Sequence, residues 1–286
     1  MSTYKSFAVV GSGGIAKVIA TELARKPGTT VKVLSRSASQ SSQDNVEVKV
    51  VDYSNAEELK AVLKGVQVVI SAVGSAALAT PVQYQVADAA KAAGVQLFLP
   101  SEFGNRTHDL PPTDKFLYPL KTKVQEYLRQ IGLNYLLIYN GPFPSDIYNP
   151  RVGFDFASRR VDIVGDGNNP VPQTTRQDVA RFVAHVLTTQ DPQSLANKHL
   201  DIRGDLVSFN HAVELWRHSH DNAPVEVRYT SISDAREQSK AGGPSGFLAY
   251  LRAEWAESKA VSQSETANDL FPDWNPSKVE QFLAHV

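Results

Sequence analysis

The sequence contains no cysteine, which excludes disulfides, thiol nucleophiles and cysteine-ligated zinc. It also lacks an excess of charge of either sign: 29 Lys and Arg stand against 30 Asp and Glu, a formal net charge of −1. Such a balance offers no electrostatic footprint for nucleic acid or for an anionic membrane surface. Long apolar runs are missing too. None approaches the roughly 18 residues of a membrane span, and the opening stretch "MSTYKSFAVV" has no signal-peptide hydrophobic region. Internal repeats and low-complexity linkers are likewise absent. A cytoplasmic location fits these absences, and monomer and homodimer are both left open.

What is present is an alternation. Ser6 to Val10 reads as a first strand, and Ile15, Val18, Ile19 and Leu23 then recur at helical spacing until Pro27-Gly28. Val31 to Leu34 and Val46 to Val51 read as further strands, and Ser54 with Glu57 as a capping box for the next helix. "VQVVISAVGS" is a buried strand, and Thr80-Pro81 supplies a cap and an N1 proline for a helix ending at Gly94. Val95 to Leu99 is a fifth strand; after a long loop, a helix over about 120–131 leads into "NYLLIY". Strands alternating with helices predict an α/β fold, a doubly wound parallel sheet of Rossmann type, over residues 1–150. Residues 151–286 change pattern and predict a smaller α+β substrate lobe, with some elements returning to the first sheet.

The first strand runs into Gly11-Ser12-Gly13-Gly14-Ile15-Ala16, which fits G-x-G-x-x-[GA] between a strand and a helix. That context suits a dinucleotide diphosphate, because the glycines permit a tight turn and close backbone approach at a helix N-terminus. A ligand-free bend is the plainer reading. No Gly-Lys-Ser/Thr follows, so the turn is not a P-loop. The second strand ends in Arg36 and Ser37, with no carboxylate before Asp44. A guanidinium suits a 2′-phosphate, so NADPH/NADP+ is favoured over NAD. Ser71, Ala72 and Gly74 at the end of the fourth strand are small enough to let a cofactor pack against backbone.

No tyrosine is followed by lysine four positions later; Tyr118 and Lys121 are one residue too close. The tyrosine–lysine pair usual among short-chain dehydrogenases is therefore missing. Lys121 instead shares a helical stripe with Val124, Leu128 and Ile131, whereas Lys123 falls outside it. A lysine at the inner edge of such a stripe is partly desolvated, its pKa falls, and it can act as a general base. Snorkelling over apolar surface is the alternative. Glu102, after the fifth strand, is either an acid/base or a loop carboxylate satisfied by backbone. His218 and His220 point to different faces of a helix and argue against a metal.

With these residues in view, the chain resembles the isoflavone reductase-like branch of the NmrA-like, atypical short-chain dehydrogenases. That branch includes the pinoresinol–lariciresinol and phenylcoumaran benzylic ether reductases. The blocks that carry the likeness are "LKGVQVVISAVG", "QYQVADAAKAAGVQLFLPSEFG", "KTKVQEYLRQIGLNYLLIYNGPF", "VGDGN" with "RQDVARFV", and "LFPDW". The resemblance implies an NADPH-binding first domain, a smaller domain closing over substrate, and a catalytic lysine at Lys121. It puts Gly11, Gly14, Arg36 and Gln83 on cofactor-contacting positions. Phe103 and Lys121 are expected against the cofactor as well, and composition suggests Phe143 for a flat apolar substrate pocket. The chain departs from the family at Lys17, where a third glycine is common, and at Gln125, where an arginine is usual. It has no basic residue soon after Arg36, and its loop between Gly104 and Lys121 is shorter than in plant members. These departures argue against a plant lignan or isoflavone as substrate. The expected activity is NADPH-dependent hydride transfer to a conjugated or aromatic small molecule. A sensor of NADP(H) without turnover and a cofactor-assisted isomerase are the alternatives.

Overall fold

The computed structural model describes residues 3–37, 45–78, 80–108, 116, 118–257 and 265–286. Asp44 and residues 109–115 of the long loop lie outside them. In chain order the first half comprises β1 (Ser6–Val10), α1 (Gly14–Ala24), β2 (Thr30–Ser35), β3 (Val46–Val50), α2 (Ala56–Leu63), β4 (Val68–Ser71), α3 (Ser75–Leu78), α4 (Val82–Ala92), β5 (Leu97–Leu99), α5 (Tyr118–Gln130), β6 (Leu136–Tyr139) and α6 (Pro144–Ile147). The second half adds β7 (Phe154–Asp155), β8 (Arg160–Val164), β9 (Pro170–Gln173), α7 (Arg176–Thr189), α8 (Pro192–Leu195), β10 (Lys198–Asp201), β11 (Asp205–Ser208), α9 (Phe209–Ser219), β12 (Glu226–Thr230), α10 (Ile232–Ser239), α11 (Gly243–Ala256) and α12 (Val279–Leu283).

The central sheet is parallel, in the order β3-β2-β1-β4-β5. This is the doubly wound α/β arrangement predicted from the alternation. The inner strands β1 and β4, with β5, read as apolar runs because both faces are covered, whereas the edge strand β3 alternates and buries none of its residues. In β1, Phe7 and Val9 enter one core with α1, while Ala8 and Val10 enter the other with α2 and α4. The same two-residue period sends Leu97 and Leu99 of β5 one way and Phe98 the other. A parallel bridge from Phe98 to Tyr135 carries the layer on to β6, and β10 pairs with β6 in parallel. A strand from the second half thus lies beside the first sheet. Helix α7 joins it there: Phe182 and Val183 pack in the same core as Ile19 and Leu23 of α1.

The remaining strands form two small sheets, β9 with β11 and β7-β8-β12. They enclose a separate aromatic core that includes Tyr148, Phe154, Phe156, Phe209, Trp216 and Trp255.

Two expected helix starts move by one residue. Asn55, not Ser54, caps α2, its side chain accepting the Glu58 N–H at 3.1 Å. Ser54 is drawn instead into a turn on Asp52, to which its N–H and hydroxyl both donate. Helix α4 begins at Val82, and the Thr80 hydroxyl donates backwards to the Ala77 carbonyl, closing α3 instead of capping α4.

Candidate active site

A cleft of about 840 Å³ opens beyond the carboxyl ends of β1, β2, β4 and β5, where doubly wound sheets place their ligand crevice. Its first wall is the turn between β1 and α1. Gly11 sits at φ +111°, and a Cβ there would stand 2.8 Å from the Ala72 carbonyl oxygen. Only glycine lets β1 and β4 approach this closely. Helix α1 then starts without a side-chain cap and without an acidic residue in its first turn. An uncapped terminus of this kind, with its positive dipole end, suits an anion.

Arg36 and Ser37 are exposed at the end of β2 and line the same cleft, with Tyr53 beside them. The Tyr53 hydroxyl donates to Leu34 O at 2.7 Å. Burial pushes its phenol up to about 12, although the Arg36 charge acts in the opposite direction.

The floor is the segment that follows β5. Gln83, from α4, accepts the Ser101 N–H at 2.9 Å, and the Ser101 hydroxyl donates to Val73 O. Asn140 and Gly141 both donate their N–H groups to Gly104 O at 3.1 Å. Between these anchors Phe103 is held at φ +28°, a backbone state that a bulky residue adopts only where its surroundings over-determine it. Glu102, next to it, is almost fully buried. Its carboxylate accepts from Thr107 Oγ1 and from Gln125 Nε2, each at 2.7 Å.

Lys121 projects from α5 onto this floor with a side chain 11% exposed, whereas Lys123 on the same helix faces solvent. Its Nζ donates to the Glu102 carbonyl oxygen and lies 3.8 Å from the Glu102 carboxylate. Burial pushes the amine below the usual lysine range; the Glu102 carboxylate opposes that shift without cancelling it. A buried amine held below the usual lysine range thus sits on the floor of the cleft whose first wall is the glycine turn.

Gly11, Ser12, Gly13, Gly14, Ile15, Arg36, Ser37, Ala72, Gly74, Phe103, Lys121 and Phe143, all predicted from sequence, are brought together around this cleft. Ser71 and Gln83 are not among its lining residues. Ser71 is fully buried at the end of β4, one residue short of the lining at Ala72, and Gln83 props the floor through Ser101. The sequence reading missed Tyr53, Asp146, Arg176 and Phe247, which also line the cleft. Tyr53 could have been found, because it follows β3 at the same sheet edge; the other three come from beyond β6, and although Arg176 opens the "RQDVARFV" block, nothing in that block directs it to the cleft. The cleft can hold an elongated ligand that has a diphosphate, a further anionic group near Arg36 and an apolar part along Phe103, Phe143 and Phe247.

The model of the NmrA-like family matches residues 3–283. The chain belongs to the NmrA-like family. Among curated relatives, this NmrA-like protein is 33% identical over 201 residues to an isoflavone reductase homolog of Nicotiana glauca, covering 67% of this chain and 62% of that protein. It is 34% identical over 230 residues to a phenylcoumaran benzylic ether reductase of Pyrus communis, covering 72% of this chain and 71% of that protein. The match thus spans less than two thirds of the length of the Nicotiana glauca relative. A solved complex of AtPrR2 with NADP+ and (+)pinoresinol superposes with a TM-score of 0.83 at 21% identity, covering 100% of this chain and 99% of that one. That likeness extends the shared fold over the whole NmrA-like chain. No described helix is long and apolar enough to cross a membrane.

Proposed function

We propose that this NmrA-like protein is an NADPH-dependent reductase of conjugated or aromatic small molecules, with Lys121 as its general base. One observation carries the reading: a desolvated lysine amine and a glycine-turn anion site with Arg36 beyond it share a single cleft. The residues present fit NADP(H). Gly11 to Ile15 would receive the diphosphate at the N-terminus of α1. Arg36 would pair with the 2′-phosphate. When bound, the reduced nicotinamide supplies a hydride. Lys121, as the neutral amine, would take the proton from a phenolic or enolic hydroxyl of the substrate at Nζ, and would return it as the ammonium. The Glu102 carbonyl and carboxylate hold Nζ in place and stabilise the ammonium once it forms. Phe103, Phe143 and Phe247 would exclude water and accept a flat apolar face. Relatives named for isoflavone and phenylcoumaran benzylic ether reduction support an oxygen-bearing aromatic substrate.

The test is NADPH oxidation with a panel of aromatic and enone acceptors, comparing the native chain with Lys121→Ala and measuring NADP+ affinity in both. Loss of about 10²-fold or more in kcat, with cofactor affinity within about threefold of native, is the expected result. Tight NADP+ binding with no turnover of any acceptor by the native chain would instead indicate a sensor.

A further inference from the structure

Arg176 is the first residue of α7, yet it reaches across to the glycine turn. Its Nε lies 3.3 Å from where a Cβ on Gly14 would stand, and Gly14 opens α1. Its plane lies over the Phe143 ring with the guanidinium carbon 4.4 Å from the centroid. Nη2 donates to both Asp146 carboxylate oxygens at 2.7 Å, and Nη1 donates to the Ser145 hydroxyl. A guanidinium at the N-termini of both α1 and α7 meets two positive dipole ends, a position that favours anions and opposes cations. Asp146 offsets that repulsion. The offset is weak, because the Arg176 and Asp146 side chains are 31% and 54% exposed and solvent screens the pair.

From this we infer that Arg176 is a ligand of the cofactor's diphosphate, held in readiness by Asp146. Its fork matches phosphate oxygens as well as carboxylate oxygens, and Phe143 fixes its plane before the ligand arrives. On binding, the diphosphate competes with Asp146 for the same N–H groups, and an element of the second half thereby closes on a turn of the first. The inference rests on the NADP(H) reading of the cleft.

The experiment titrates NADP+ by calorimetry into the native chain, Arg176→Ala and Asp146→Asn, and repeats each titration with adenosine 2′-monophosphate, which has no diphosphate. Arg176→Ala should weaken NADP+ about tenfold, the effect of a lost charge-assisted contact. Asp146→Asn should tighten it about threefold, since a weak competing charge has gone. Affinity for adenosine 2′-monophosphate should be unchanged in both. Opposite signs in the two variants are the signature, because a merely structural ion pair would weaken binding from either side. Equal losses in both variants, no change in Arg176→Ala, or an equal loss with the monophosphate would overturn the inference. If Arg176→Ala does not fold, the sign in Asp146→Asn decides alone. No NADP+ uptake by the native chain would remove the cofactor reading itself, and this inference with it.

Discussion

At the scale of single residues, the proposed chemistry rests on Lys121 and Glu102. With Lys121 as the proposed base, the active form is the neutral amine, so kcat/KM should rise with pH through the Lys121 pKa, and burial places that rise below the usual lysine range. Glu102 holds the proton on by its charge. Glu102→Gln should therefore move the ascending limb further to acid while lowering kcat, because the carboxylate no longer steadies the ammonium. A pH–rate profile of the two proteins checks this; a limb that stays fixed, or moves to alkali, would show that the carboxylate does not act on Lys121. The linkage runs the same way for folding. The native state disfavours the ammonium, so the unfolded chain binds more protons between the two pKa values, and stability from this group rises with pH up to about 10.4, the unperturbed lysine pKa. Gln125 matters in this balance. Its neutral amide donates to Glu102 without adding charge, and among the described residues Lys121 is the cation paired with that carboxylate.

At the scale of elements, the β1–α1 turn separates folding from binding in two of its glycines, Gly11 and Gly13. Gly11→Ala meets a positive φ and the Ala72 carbonyl at 2.8 Å, and should cost about 2 kcal/mol or more. Gly13 has an extended backbone, and a Cβ there finds nothing within 4 Å. Gly13→Ala should leave stability within about 0.5 kcal/mol, yet lower NADP+ affinity about tenfold by placing a methyl group in the cleft. Thermal unfolding and cofactor titration of both variants test the contrast. The same turn explains what was legible in the sequence. Parallel strands buried on both faces, a glycine turn between strand and helix, and a lysine on an apolar stripe are local patterns, and each appears where its residues predicted it. Caps were less legible. Ser54 and Asn55 are both good caps, and only the Asp52 turn, which takes Ser54, decides between them. Arg176 was invisible for another reason: its meeting with Gly14 depends on α7 packing against α1, a contact between the two halves of the chain that no local period encodes.

That packing governs the whole molecule. Phe182 of α7 is fully buried against the first core, where its ring also meets Trp274 at 5.1 Å, and β10 extends the layer beside β6. Neither half keeps its apolar surface covered without the other. The cleft is shared in the same way, with Gly11 to Ile15 on one side and Arg176 and Phe247 on the other. A ligand bound there should therefore stabilise both halves at once. NADP+ at about 100 times its Kd should add about 2.7 kcal/mol, which for a chain of this size moves Tm up by several degrees. Calorimetry should record one transition that shifts as a unit. Two transitions, only one of them moved by NADP+, would mean that the halves fold independently and that α7 and β10 contribute little to the first core. The geometry argues for the single transition, because separating the halves would expose Phe182, Val183, Ile19 and Leu23 together. Large-to-small changes at fully buried sites of this kind cost about 2–5 kcal/mol each, so losing the whole contact exceeds the marginal stability of an ordinary domain.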